Sequence, residues 1–95
     1  MKVLKGAKSV KVPEAIGEIV SIGWDAGVRE MRGPLYMLAL IPMADLMEKR
    51  ENSPQLVGRP VLAAYDHMKL RLHIFPASDT RGDLRVHYFP AMKEF

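Results

Sequence analysis

The sequence predicts an α+β domain in which two helices pack on a small antiparallel sheet with a C-terminal β-hairpin. Three observations lead to this prediction. Apolar residues recur at helical spacing behind Pro13, the segment 35–52 is rich in Leu, Met and Ala, and one phrase occurs twice, as LRLHIFP at 70–76 and LRVHYFP at 84–90. With 95 residues, 48% hydrophobic and 26% charged, the chain fits one domain, 1–95, around a single core.

The N-terminal third is predicted to contain an arm, a strand and a helix. Residues 1–7 form a flexible basic arm, and KSVKV at 8–12 is a strand because polar and apolar residues alternate ahead of a proline. Pro13 suits the first turn of an amphipathic helix that ends at RGP 32–34, although each of its three glycines costs about 1 kcal/mol against alanine. The apolar positions that define this helix are Ile16, Ile19, Val20, Trp24, Val28 and Met31.

The central segments are less distinctive. LYMLALI at 35–41 fits a buried strand or a helix, and the lack of a β-branched residue before Ile41 favours a helix. That helix restarts at Pro42 and continues through MADLMEKREN, and SPQLVG at 53–58 forms a turn. RPVLAAYDHM at 59–68 has no clean period, and we favour an extended segment because it leads directly into KLRLHIF.

Strict alternation within each copy of the repeated phrase separates a core face from an outer face. The core face holds Leu70, Leu72, Ile74, Leu84, Val86 and Tyr88. Turn residues in the intervening ASDTRGD indicate that the copies form an antiparallel hairpin. If His73 pairs with His87, each arginine lies opposite a phenylalanine of the other strand. The outer face, which is the candidate binding face, comprises Arg71, His73, Phe75, Arg85, His87 and Phe89.

Three interpretations of this outer face stay open. It is a surface ladder of cation–π pairs that fixes the hairpin register, a face that a protein partner or a second copy covers, or a nucleic-acid site in which arginine meets phosphate and aromatic rings stack on bases. The net charge of +3 is concentrated toward the two ends of the chain, where an anionic partner would bind first. The candidate phosphate contacts are Lys2, Lys5, Lys8, Lys11 and Arg81.

Several kinds of chemistry are excluded or unsupported. The absence of cysteine excludes disulfides, thiolate catalysis and cysteine-based metal sites. Two histidines on adjacent strands lack an evident third metal ligand, and no motif for a nucleophile or a phosphate loop occurs. We therefore predict no catalytic residue, no metal, no cofactor and no enzymatic activity. The longest apolar stretch, 34–44, is shorter than the roughly 20 residues of a membrane span, so we predict a cytoplasmic protein that does not bind membranes.

A family resemblance adds one alternative. The predicted order of strand, two helices and hairpin, together with GDLRVHYF at 82–89, resembles the RelE/ParE-type toxin superfamily, and this resemblance implies an RNA-directed activity. The leading hypothesis is a small binding module that acts through protein–protein interaction, as an inhibitor or regulator from a phage or mobile element. The alternative is a nucleic-acid-binding regulator or a RelE/ParE-like RNA-directed toxin. Expected partners are another protein first, nucleic acid second, and a second copy of the chain in a homodimer.

Overall fold

A computed structural model describes residues 1–25 and 36–91. Over these residues the chain forms ten β-strands and one α-helix, so the protein is mostly β. The elements are β1 (Lys2–Val3), β2 (Ser9–Lys11), β3 (Ile16–Asp25), β4 (Tyr36–Met37), β5 (Ala39–Leu40), α1 (Met43–Asn52), β6 (Val57–Gly58), β7 (Leu62–Asp66), β8 (Arg71–Phe75), β9 (Ala77–Ser78) and β10 (Gly82–Pro90). The predicted α+β arrangement of two helices on a small sheet is wrong.

The strands form two four-stranded sheets and one short pair. The first sheet has the order β1-β10-β3-β4, and the second has the order β2-β8-β7-β5. Strands β6 and β9 form a separate parallel pair. The side chains that the two sheets turn toward each other form one core, whose buried members include Val3, Ile22, Trp24, Leu84, Val12, Ala63, Leu72 and Ile74.

The helix predicted from Pro13 is wrong over the described residues, because 16–25 is the long strand β3. The rest of that predicted helix, from 26 onward, lies outside the described residues. Strand β3 pairs with β10, and the register shifts twice, so that Val20 and Gly17 have no direct partner. Each extra residue is a β-bulge. The two bulges place the inward residues three, three and two positions apart, which imitates helical spacing. These inward residues are Ile16, Ile19, Ile22 and Trp24.

The helix predicted over 35–41 is also wrong over 36–41, the part of it that the structure describes, whereas its continuation over 43–52 is α1. Residues 36–41, here named the corner segment, hydrogen bond to both sheets. The Leu38 N–H donates to the Ile22 carbonyl in the first sheet at 2.9 Å. On the second sheet, the Ala39 N–H donates to the carbonyl of Val61, just before β7, at 3.0 Å, and the Ile41 N–H donates to the carbonyl of Ala63 in β7 at 2.9 Å. The corner segment is extended because tertiary partners on both edges satisfy its backbone, despite its helical composition.

The predicted hairpin between the two copies of the repeated phrase is wrong as well. Strand β8 pairs with β7 and β2, whereas β10 pairs with β3 and β1, so the copies lie in different sheets. The segment between them contains β9, which pairs with β6 and takes the chain from one sheet to the other. The RelE/ParE resemblance thus loses the element order on which it rested. The strands predicted at 8–12, 70–76 and 84–90 are confirmed by β2, β8 and β10, and the extended segment predicted at 59–68 contains β7. Its predicted direct continuation into KLRLHIF is wrong, because a turn at 67–70 separates β7 from β8.

The N-terminal segment contributes one strand to each sheet. Strand β1 pairs with the start of β10, and β2 pairs with β8. Gly6, at φ +82°, turns the chain between the two strands, a conformation that glycine adopts without steric cost. The Gly6 N–H donates to the Ser78 carbonyl at 2.7 Å. Within residues 1–7, where the flexible arm was predicted, Val3 is only 1% exposed and packs in the core.

Helix α1 lies on the outer side of the second sheet, against β7 and β8. It carries Asp45 in its first turn and Lys49 and Arg50 in its last turn, which suits the helix dipole. Leu46 is its buried residue. In the part of the chain that the structure describes, no helix has the length and apolar character needed to cross a membrane.

Candidate binding face

The six residues of the predicted binding face are divided between the two sheets. Arg85, His87 and Phe89 lie on the outer face of the first sheet and are largely exposed, because the alternating Leu84, Val86 and Tyr88 face the core. The corresponding residues of β8 lie on the outer face of the second sheet, toward α1, and are only partly exposed. The predicted cross-strand pairs of histidine with histidine and arginine with phenylalanine therefore do not form.

The outer face of the first sheet combines apolar and charged side chains. Gly23 of β3 pairs with Arg85 on one side and with Met37 of β4 on the other, so these side chains share one face. Phe89 is 61% exposed and Met37 is 60% exposed. The Arg85 guanidinium bonds to the Asp25 carboxylate at 3.1 Å, an exposed ion pair that is worth little by itself. We name this surface the β10 face, comprising Met37, Arg85, His87 and Phe89.

Acidic residues border the β10 face. Glu18 is the β3 partner of Phe89, and Asp25 is the partner of Asp83. Asp83 also pairs with Lys2 of β1. Since directly paired residues lie on the same face of a sheet, Glu18 lies next to Phe89, and Asp25 and Asp83 lie at the other end of the face, near Arg85. The surface therefore presents mixed charge around apolar side chains.

On the second sheet, His73 is engaged by the helix. The Arg50 guanidinium of α1 lies 3.2 Å from His73 Nδ1, and it also donates to the carbonyls of Lys8 at 3.0 Å and Ile74 at 3.3 Å. Because guanidinium only donates, Nδ1 accepts and the ring proton resides on Nε2. Nε2 is buried and has no hydrogen-bond partner among the described residues. Burial first, and then the positive charge of Arg50, lower the pKa of His73.

Arg71 and Phe75 also have structural surroundings. Arg71 Nε donates to the Ser9 hydroxyl at 2.9 Å, which ties β8 to the edge strand β2. Phe75 pairs with Leu62 and is half-buried. Sequence reasoning missed Arg50, whose only local signal is a basic residue in the last turn of a helix.

The candidate phosphate contacts do not share one surface. Lys2 lies on β1 in the first sheet, whereas Lys8 and Lys11 lie at β2, an edge strand of the second sheet. Lys5 lies in the turn between these strands, and Arg81 directly precedes β10. Lysines at an edge strand discourage pairing with another chain, which accounts for Lys8 and Lys11 without a ligand.

A further aromatic contact was not predicted. The Arg59 guanidinium lies 3.9 Å from the ring centre of Tyr36, a cation–π geometry at the edge of the first sheet. Both side chains are exposed. Tyr36 pairs with the core residue Trp24, whereas Met37 pairs with Gly23, so this stacked pair lies on the opposite face of the sheet from the β10 face.

The described residues contain no group of three or more His, Asp or Glu side chains arranged to hold a metal ion. The β10 face combines an exposed aromatic side chain and a methionine with charged groups. Searches against protein-family models, curated proteins and solved structures found no match to this chain.

Proposed function

We propose that this protein is a non-enzymatic binding module that contacts another protein through the β10 face and acts on it as an inhibitor or regulator. The observation that carries the proposal is the exposed Phe89 on a strand whose alternate residues are fixed in the core. Phenylalanine, methionine and arginine, which this face presents, are all enriched in protein interfaces. Because the sheet already orders the backbone, binding has only to fix the side-chain rotamers.

The charge around the β10 face favours a protein over a nucleic acid. Arg85 already bonds to Asp25, and Glu18 and Asp83 add negative charge to the same surface. Phosphate binding depends on several basic side chains that act together, whereas the lysines here are divided between the two sheets. Mixed charge around an apolar centre is the usual composition of a protein interface and its rim.

The proposal is tested by capturing partners from a lysate of the protein's own cells on the immobilised full chain, on Phe89→Ser and on Met68→Ser. Met68 is 82% exposed in the turn between β7 and β8, so it serves as a matched apolar control. We expect one protein at stoichiometric level on the wild type and on Met68→Ser. On Phe89→Ser its affinity falls about 30-fold, since an interface anchor contributes roughly 2 kcal/mol or more.

Salt separates this proposal from the nucleic-acid alternative. Binding centred on Phe89 changes little between about 50 and 200 mM salt, whereas binding that neutralises several phosphates weakens by orders of magnitude. Equal capture by both serine variants would remove the β10 face from the interface. Capture of RNA or DNA with a steep salt dependence, and of no stoichiometric protein, would replace the proposal with the nucleic-acid alternative.

A further inference from the structure

The Arg50 side chain connects the last turn of α1 to the second sheet. One of its amino groups reaches His73 Nδ1 at 3.2 Å, and the other reaches the carbonyls of Lys8 and Ile74 at 3.0 and 3.3 Å. The Lys8 carbonyl also accepts the Ile74 N–H at 2.9 Å, so Arg50 lies at the junction of β8 with the start of β2. Through this one side chain the helix is held to two segments of the sheet.

The contact between Arg50 and His73 exists only while the imidazole is neutral. Neutral Nδ1 offers a lone pair to the guanidinium, but in the protonated ring both nitrogens carry a proton and neither accepts. A proton taken up from solvent at Nδ1 would point toward a donor 3.2 Å away. It would also place two positive charges within hydrogen-bond distance of each other. Protonation of His73 and the contact with Arg50 therefore exclude each other.

The surroundings of His73 do not compensate for a second charge. On β2 the residue opposite the ring is uncharged Ser9. Burial and the positive neighbours lower the pKa of His73, and only Asp66 acts in the opposite direction. The charged groups that influence the ring are Arg50 from α1, Arg71 from β8, Lys69 from the turn before β8 and Asp66 from β7.

We propose that the contact between Arg50 and His73 is a pH-sensitive latch, which holds the last turn of α1 on the second sheet at neutral pH and releases it on acidification. Ala64 pairs with His73, faces away from the core and is fully buried where α1 packs on β7 and β8. Release exposes this part of the sheet. The latch is independent of the β10 face, which lies on the other sheet.

The direction of the effect follows from the lowered pKa. When the helix is released, His73 has a pKa near the ordinary value of about 6.5. When the helix is docked, the pKa of His73 is lower, so the ring stays neutral to a lower pH. Docking is thus fully favoured above pH 6.5 and weakens as the pH falls toward the docked pKa. Between these two values the population of the released helix rises by up to about tenfold for each pH unit.

The latch is tested on the full-length chain by amide hydrogen exchange, followed by NMR between pH 7.5 and 5.0 and corrected for intrinsic exchange rates. We expect the protection of the amides of 47–52 against exchange to fall with decreasing pH, by up to about tenfold for each pH unit. Protection of β3 and β10 stays constant over the same range. His73→Gln, which cannot gain a proton, removes this pH dependence, and His67→Gln in the exposed turn before β8 retains it. Unchanged protection of 47–52 in the wild type, or a pH dependence that survives in His73→Gln, would overturn the proposal.

A second measurement does not depend on how well His73→Gln folds. The titration of the His73 ring is followed by NMR in the wild type and in Arg50→Gln. Since Arg50 disfavours the charged ring, its removal shifts the titration midpoint of His73 upward toward 6.5. A midpoint that is the same in both proteins would show that the two side chains are not coupled, and the latch would be rejected.

Discussion

Gly82 shows how one residue sets the spacing of the first sheet. It begins β10 at the point where this strand passes close to the end of β3. A Cβ atom at position 82 would lie 2.5 Å from the Asp25 carbonyl oxygen and 2.7 Å from the Trp24 ring. The carbonyl is part of the backbone and the ring is buried in the core, so neither can move aside cheaply. The position therefore requires a residue without a side chain.

We expect Gly82→Ala to lower the free energy of unfolding by about 1 to 3 kcal/mol, because the added methyl overpacks a fixed contact. Gly58→Ala is the control, since a Cβ there would meet only the Pro76 side chain at an ordinary 3.5 Å. Its effect should stay within about 0.5 kcal/mol. Urea denaturation of the three proteins provides the comparison. Equal stabilities for both alanine variants would show that β10 can move away from Trp24.

At the same scale, strand alternation predicted which residues of the repeated phrase face the core. Leu72, Ile74 and Leu84 are buried as expected, because a period of two depends only on the local backbone. The environment of His73 was not predictable in this way. Its contact is Arg50, which lies 23 positions earlier in the chain, and no local spacing rule links the two.

At the scale of elements, the errors have two physical causes. In β3 the bulges gave the inward residues a nearly helical spacing. This periodicity outweighed the β-branched residues, which favour a strand, and the glycines, which disfavour a helix. In the corner segment, intrinsic preference favoured a helix, but pairing with two neighbours determined the result. Helix α1 and strands β2, β8 and β10 were predictable because pattern and tertiary environment agree there.

Strand β1 is a short element with a testable contribution to stability. Val3 is 1% exposed, whereas the adjacent Leu4 is 69% exposed. We expect Val3→Ala to lower the unfolding free energy by roughly 1 to 3 kcal/mol, since it removes buried methyl groups, and Leu4→Ala to change it by less than about 0.5 kcal/mol. Thermal or urea denaturation measures both. If Val3→Ala were as stable as Leu4→Ala, residues 1–7 would behave as the flexible arm that their composition suggests.

At the scale of the whole molecule, the two sheets are not independent layers. Residues 1–11 contribute a strand to each sheet, and the corner segment hydrogen bonds to both. Their inward side chains belong to one core cluster. Local opening of one sheet would therefore break pairing in the other, which favours a single cooperative unfolding transition.

Trp24 provides a probe for this cooperativity, because it is the single tryptophan and is 1% exposed in the first sheet. At pH 7.5, where α1 is docked, we expect urea transitions followed by Trp24 fluorescence and by far-UV circular dichroism to coincide. The second signal reports backbone structure throughout the chain. Two separated transitions would mean that one sheet persists after the core around Trp24 has opened.

The corner segment also limits how the chain can change in length. Its N–H groups alternate between the two sheets, so that Leu38 bonds to one and Ala39 to the other. One inserted or deleted residue between them would turn the strand residues that follow it in the segment to the opposite face. We therefore expect a one-residue insertion or deletion between Leu38 and Ala39 to break the pairing with one of the two sheets, whereas substitutions that preserve side-chain size leave both pairings in place.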